Sequence, residues 1–261
     1  MPFKSLTLAR DGAVAVLTLN RPEVMNSFND ALIGECTEAF GLVETDEAVR
    51  ALIVTGAGRG FCAGQDLGEV RERRASGQPW SLAEHVRRRY NPMIRAMREL
   101  DKPVVAAVNG AAAGAGMSFA LAADLRIASE HAKFVQAFIG IGLVPDTGSS
   151  WFLPRLVGPA AAFDLCATGR TVSAEEALRM GLVSRVVSAG VLMSAAREVA
   201  TELASKSAEA VARIKQMLRR TWDLGLEEAL ELEATLQEEA AGTPQHRDLV
   251  DAFLAKSGKK G

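Results

Sequence analysis

The chain is 261 residues long, with 30 Lys and Arg against 32 Asp and Glu, a formal net charge of −2 and 48% hydrophobic residues. That length can bury a large core, and the near-neutral balance excludes the electrostatic footprint of a nucleic-acid or anionic-membrane binder. Three scattered cysteines (Cys36, Cys62, Cys166) form no disulfide framework, three separated histidines lack metal-ligand spacing, and neither a signal peptide nor a membrane-spanning run is legible; a cytoplasmic protein without a metal site is expected.

Residues 4–9 and 13–19 alternate as strands around the turn signal Asp11-Gly12, which predicts a hairpin. Helical spacing over 29–44 follows, with Asn29 as N-cap. Residues 51–55 read as a short buried strand leading into the glycine-rich segment 56–60. Segment 66–100 is polar and Arg/Glu-rich, with helices interrupted by a mobile stretch near 76–79. Its basic clusters, 71–74 and 87–89, read as solvated helix faces or as attraction for a phosphorylated small molecule. Residues 103–108 form a second buried strand, 115–123 a helix and 124–128 a strand. Residues 159–168 and 173–180 follow as short helices, the latter with a capping-box pattern at Ser173 and Glu176. From 191 the spacing is helical throughout, which divides the chain into an α/β core at 1–190 and a helical region at 191–261.

Three local features carry chemistry. Gly56-Ala-Gly-Arg-Gly60 follows a strand, but a dinucleotide fingerprint needs a third glycine where this chain has Phe61 or Cys62-Ala63. A plain turn and a backbone binding site remain, the latter favoured by Gly64, which permits unusual dihedrals. The loop Asn109-Gly-Ala-Ala-Ala-Gly-Ala-Gly-Met117 has two readings: tight strand–helix packing, or a helix N-terminus whose unpaired N–H groups hold a developing negative charge. Asp146, between Val144-Pro145 and Thr147-Gly148, is either a turn former or a carboxylate whose apolar flank raises its basicity. No nucleophile elbow, zincin helix or phosphate loop is present, and Cys62 reads as a buried structural thiol.

Taken together, Leu19-Asn-Arg-Pro-Glu-Val-Met-Asn26, Gly60-Phe-Cys-Ala-Gly-Gln-Asp-Leu67, Lys102-Pro-Val-Val-Ala-Ala-Val-Asn-Gly110 and Ala113-Gly-Ala-Gly-Met117 resemble the crotonase superfamily, the enoyl-CoA hydratase/isomerase family. Ala123-Asp-Leu-Arg-Ile-Ala128, Gly142-Leu-Val-Pro-Asp-Thr-Gly148, Leu153-Pro-Arg-Leu-Val-Gly158, the segment 174–183 and Phe253-Leu-Ala-Lys256 extend the resemblance over essentially the whole chain. It implies a spiral of ββα units with a C-terminal helical region that supports trimers, often paired into hexamers. It also implies an acyl-CoA thioester as ligand, with no separate cofactor because coenzyme A enters as part of the substrate.

By position, the resemblance places the oxyanion-hole N–H groups at Gln65 and Ala115. It places CoA or acyl contacts at Val24, Met25, Ala63, Gly64, Asp66, Leu67, Gly116 and Phe138. Hydratases of the family use two glutamates to activate water; the matching positions here are Ser118 and Phe138. Asp146 lies where dienoyl-CoA isomerases carry a catalytic aspartate, although those enzymes pair it with a glutamate at the position of Phe138. The set Phe61–Leu67, Tyr90-Asn-Pro92, Ala113–Gly116 and Leu143–Asp146 looks most like the ring-epoxide isomerases of bacterial phenylacetate degradation. The expectation is an acyl-CoA isomerase with Asp146 as acid/base and with Phe138 and Phe119 drying the pocket or serving as plain core residues. The alternatives are a hydratase with an atypical acid set and a catalytically silent acyl-CoA-binding subunit.

Overall fold

The computed structural model describes residues 3–77 and 79–257. Two sheets organise it. Strands β1 (Leu6–Asp11) and β2 (Val14–Leu19) form the expected hairpin, pairing Leu6 with Leu19 and Asp11 with Val14. β2 continues in parallel into β3 (Ala51–Gly56), β5 (Val104–Val108), β7 (Leu125–Ser129) and β10 (Arg185–Val187), so the larger sheet has the order β1-β2-β3-β5-β7-β10. β3 and β5 are buried at every position, as central parallel strands covered on both faces should be.

The smaller sheet is built from three-residue strands: β4 (Gly60–Cys62), β6 (Ala111–Ala113), β8 (Lys133–Val135) and β9 (Thr171–Ser173). The chain alternates between the sheets, passing from β3 to β4, from β5 to β6 and from β7 to β8, with helices following each pair. This is the ββα spiral expected from the resemblance. The crossings are pinned by two asparagines: Asn26 Nδ2 donates to the carbonyls of Ala57 and Gly60, and Asn109 Nδ2 to those of Gly58 and Gly60. Segment 56–60 is therefore a packed turn leading into β4, and no helix follows it as a dinucleotide site requires.

The period-2 pattern of β2 sorts two cores. Ala15, Leu17 and Leu19 face the main core, which also takes in Phe28, Phe40, Phe61 and Phe119. Val14 and Val16 face the opposite way, where they meet Ala196 and Ala200 of helix α9 (Leu192–Ala204). Helix α9, just past the expected boundary at 190, covers the outer face of the larger sheet.

Helix α1 (Asp30–Thr45) starts as expected, with Asn29 Oδ1 accepting from Leu32 N at 2.9 Å, a cap of about 1 kcal/mol. The path from the small sheet back to β5 runs through α2 (Leu67–Ala75), α3 (Leu82–His85), a π-helical turn at Val86–Tyr90 and α4 (Asn91–Glu99). Of the stretch 76–79, Gln78 lies outside the described residues.

Helices α5 (Ala115–Ala122), α6 (Ser149–Val157), α7 (Pro159–Thr168) and α8 (Ala174–Arg179) complete the core. α6 carries no expectation from sequence. At α8 only half of the capping box forms. Ser173 Oγ accepts from Glu176 N, while the Glu176 carboxylate turns to Arg170 at 2.7 Å, because a guanidinium offers a stronger charge-assisted bond than the cap N–H. Helices α10 (Ala208–Arg220), α11 (Leu226–Ala241) and α12 (Pro244–Ser257) end the chain.

Candidate active site

The Gln65 backbone is set by its neighbour Phe28 on the β2–α1 connection. Phe28 N donates to Gly64 O at 2.7 Å and Asp66 N donates to Phe28 O at 2.8 Å, a one-residue parallel bridge. These bonds use the groups on either side of Gln65 and leave its own N–H without a protein acceptor among the described residues. Gly64 sits at φ +92°, and a Cβ there would lie 2.8 Å from Ala113 O and 3.4 Å from Ala115 N. The glycine is thus required by the close approach of two backbone loops, the second being the one that opens α5.

Gly114, at φ +51°, turns the chain from β6 into α5. Ser118 N closes the first helical bond to Gly114 O, which leaves Ala115 N–H at the helix start with no protein acceptor among the described residues. A buried, unpaired N–H is rare and costly, and Ala115 is only 4% exposed. Gln65, partly buried, and Ala115, buried, thus bring two N–H groups without protein acceptors onto neighbouring loops, one of them at the positive end of a helix.

Gln65 and Ala115 both line one cavity of about 520 Å³, within the range of small-molecule sites. Asp146 lines the same cavity, and it is the one carboxylate among the lining residues. Its backbone belongs to a strained turn: Thr147, β-branched, has φ +56°, where such residues are outliers. Thr147 Oγ1 donates to Asp146 Oδ1 at 2.7 Å, and Ser149 N donates to Asp146 O at 3.0 Å. Burial raises the Asp146 pKa above the ordinary aspartate value, with the Thr147 hydrogen bond and the field of His85 pulling partly the other way. A carboxylate so placed is a stronger base than one in water.

Of the residues singled out in the sequence, the cavity gathers Ala63, Gly64, Gln65, Leu67, Ala115, Phe138 and Asp146. Val24, Met25, Asp66 and Gly116 do not line it. Val24 is exposed, and Met25 packs its side chain against Gly60 while its carbonyl accepts from Ala63 N. Asp66 binds Arg21 at 2.9 Å and accepts from the N–H groups of Gly68 and Glu69, so it caps α2. A Cβ on Gly116 would collide with the Cys62 carbonyl, so that glycine serves packing.

Of the two phenylalanines weighed as pocket walls, Phe138 lines the cavity, whereas Phe119 lies in the core among Phe28, Phe40 and Phe61. Ser118 is fully buried and its hydroxyl donates to Gly114 O. Cys62 is buried, with burial pushing its thiol up to about 12 despite opposing hydrogen bonds, which fits a structural role.

The sequence reading did not single out Val70, Trp80, Leu82, Ile141 and Leu143 as walls, nor Tyr90 as a side chain aimed at Gln65. Tyr90 had a signal within the matched motif Tyr90-Asn-Pro92. Leu143 likewise lay within the matched motif Gly142–Gly148, whereas Val70, Leu82 and Ile141 come from helical stretches and Trp80 from a connection, none with a local mark of an inward face. Among the described residues, no group of three or more His, Cys, Asp or Glu side chains is placed to hold a metal ion, and no helix is long and apolar enough to cross a membrane.

The enoyl-CoA hydratase/isomerase family model matches residues 9–260. The chain belongs to that family. Within it, the chain is 44% identical over 243 residues to 1,2-epoxyphenylacetyl-CoA isomerase of Escherichia coli, covering 93% of this chain and 92% of that one. It is 37% identical to short-chain-enoyl-CoA hydratase of Clostridium acetobutylicum, covering 98% and 97%. The crystal structure of an enoyl-CoA hydratase from Mycobacterium smegmatis superposes with a TM-score of 0.90 at 34% identity, covering 97% of each chain. The relatives this chain resembles thus carry both isomerase and hydratase names.

Proposed function

We propose that the protein is an acyl-CoA isomerase, acting on a ring-epoxide phenylacetyl-CoA or on an unsaturated acyl-CoA. The observation that carries this reading is the content of the cavity: two backbone N–H groups without protein acceptors, one carboxylate raised by burial, and an aromatic wall at Phe138. The likeness to an epoxyphenylacetyl-CoA isomerase supports it. In this reading Gln65 N–H and Ala115 N–H receive the thioester oxygen and bind it more tightly as an enolate oxygen than as a carbonyl.

For a β,γ-unsaturated acyl group, the Asp146 carboxylate takes the α proton. The C–H electron pair moves into the enolate, and the same carboxyl returns the proton at the γ carbon as the double bond shifts. Atoms and electrons balance with no added water. With a ring epoxide, the carbon–carbon bond of the epoxide breaks and its electron pair joins the ring double bonds as the seven-membered oxepin forms; Asp146 moves the α proton through the enolate to a ring carbon, so no atom is gained or lost. Hydration by the two-glutamate route needs a second acid, and Phe138 in the wall supplies none. Val70, Trp80, Leu82 and Leu143 suit a flat, apolar acyl group.

The reading extends to a cytoplasmic homotrimer or dimer of trimers. Leu226, Leu230, Leu249 and Phe253 on the C-terminal helices are exposed in the single chain, which supports association; light scattering of the purified protein tests it.

The catalytic reading is tested with a panel of acyl-CoA esters, resolving products of unchanged mass by chromatography. Isomerised product with retained enoyl content is expected. Loss of enoyl absorbance on crotonyl-CoA at comparable rates would replace it with hydration, and tight binding without turnover would make the protein a silent acyl-CoA binder.

A further inference from the structure

The Gln65 side chain is held at both ends. Its Nε2 donates to Phe28 O at 3.2 Å, which fixes which way the amide faces, since a carbonyl accepts only from the nitrogen. Its Oε1 then points to Tyr90, whose hydroxyl donates to it at 2.6 Å, and to His85, whose Nε2 lies 3.3 Å away. The Tyr90 ring is held in turn by edge contacts to Phe28 at 6.0 Å and His85 at 5.5 Å. Tyr90 is 2% exposed and ends the π-helical turn at Val86–Tyr90. The wider turn shifts the register by one residue relative to an α-helix, a device common at functional sites.

We propose that Tyr90 is a positioning residue of the oxyanion hole: through the Gln65 side chain its hydroxyl holds the Gln65 peptide with its N–H aimed into the cavity. The inference rests on the oxyanion-hole reading above and adds a residue that acts on the reaction through another. The bridge to Phe28 holds the planar Gly64–Gln65 peptide by its carbonyl, since Phe28 N donates to Gly64 O. The Tyr90 bond adds a second restraint on Gln65 from the side-chain end, beside that short bridge. A donor held in place before reaction costs no reorganisation when the enolate forms, which is where such donors gain their effect. Burial also keeps the Tyr90 phenol far above its ordinary pKa, so it stays a donor over the whole working range.

The test compares wild type, Tyr90→Phe, Gln65→Met and the double variant. The Phe variant keeps the ring and its packing, and Gln65→Met keeps the backbone N–H while removing the acceptor. The expected result for Tyr90→Phe is a loss of about tenfold in kcat on a β,γ-unsaturated acyl-CoA, with KM within about twofold and thermal stability nearly unchanged. The double variant loses no more than the worse single variant, because both break one unit.

The second readout is the infrared carbonyl stretch of bound butyryl-CoA, isotope-labelled at the carbonyl carbon. Wild type lowers its frequency, and Tyr90→Phe returns it part-way to the free value. Wild-type kcat and carbonyl shift in Tyr90→Phe, or losses that multiply in the double variant, would overturn the role of Tyr90 alone. No carbonyl shift in wild type would remove the oxyanion hole itself, and this proposal with it.

Discussion

Replacing Asp146 with Asn tests the proton carrier with little change of shape. The side chain keeps an Oδ1 acceptor for the Thr147 hydroxyl, which bonds to Asp146 at 2.7 Å, and the turn that holds it is a backbone feature. The two N–H donors at Gln65 and Ala115 are untouched. What is lost is one exchangeable proton on one carboxylate, and among the described residues no second carboxylate lines the cavity to take over. General acid–base catalysis by a placed group contributes about 10²–10⁴ in rate, or ~3–5 kcal/mol of barrier. With no substitute acid, the loss in kcat belongs toward the upper part of that range, with KM within a few-fold because binding rests on other groups.

Steady-state isomerisation of a β,γ-unsaturated acyl-CoA at pH 7 to 8 reads both parameters. A variant within about fivefold of wild-type kcat, or one whose loss sits in KM, would refute the reasoning.

The same group fixes a pH dependence. Burial holds the folded Asp146 pKa above its unfolded value, so the stability it contributes is complete below the unfolded pKa and is lost as pH rises through the folded one. Near pH 7 the ionised group is a net cost. Asp146→Asn should melt at or above the wild-type temperature there, and the advantage should vanish in acid. Wild-type kcat should rise with pH on a midpoint above the ordinary aspartate range, a limb absent from the residual rate of the Asn variant.

Gly64→Ala forces a Cβ against Ala113 O at a φ of +92°; a cost of about 1–2 kcal/mol in stability is expected, with a loss of activity as the two loops separate, both read by melting and kinetics. Asp66 behaves in the opposite sense to Asp146. Burial pushes its carboxyl up, but the Arg21 hydrogen bond and the N–H groups of Glu69 and Gly68 outweigh this and hold it below the ordinary value. Asp66→Asn should therefore be less stable than wild type at neutral pH, with the difference disappearing as pH falls through the depressed pKa; a melting series from pH 7 into acid checks this. Cys36 and Cys62, buried with thiols pushed up, should resist alkylation at pH 8 until the protein is unfolded, which mass spectrometry of labelled peptides reads.

Long or capped elements were legible in the sequence. The hairpin followed from alternation around Asp11-Gly12, and α1 from its spacing and the Asn29 cap. The smaller sheet was not legible, because β4, β6, β8 and β9 are three residues each, shorter than any window in which alternation can be counted. Helix α5 shows the same limit at the site. It is buried on every side, so nothing in its pattern tells Phe119, which faces the core, from a residue that faces a ligand.

Asp146 and the Ala115 loop stood out because an acid among apolar neighbours and a run of small residues are local facts. The Tyr90–Gln65 bond spans 25 residues and three helical segments, a juxtaposition only the fold makes. Asp66 shows the converse: the motif match carried a ligand expectation, and the fold adds what the motif does not tell, that its carboxylate caps α2 and binds Arg21.

The central claim is that one carboxylate moves a proton within the acyl group and no water is added. Mass spectrometry of a β,γ-unsaturated acyl-CoA turned over in heavy-oxygen water or, separately, in deuterium oxide tests it most directly. An isomerised product of unchanged oxygen content is expected, with deuterium entering the α and γ positions in wild type and not in Asp146→Asn. A product carrying one oxygen from solvent, or deuterium entry that survives the loss of Asp146, would contradict it.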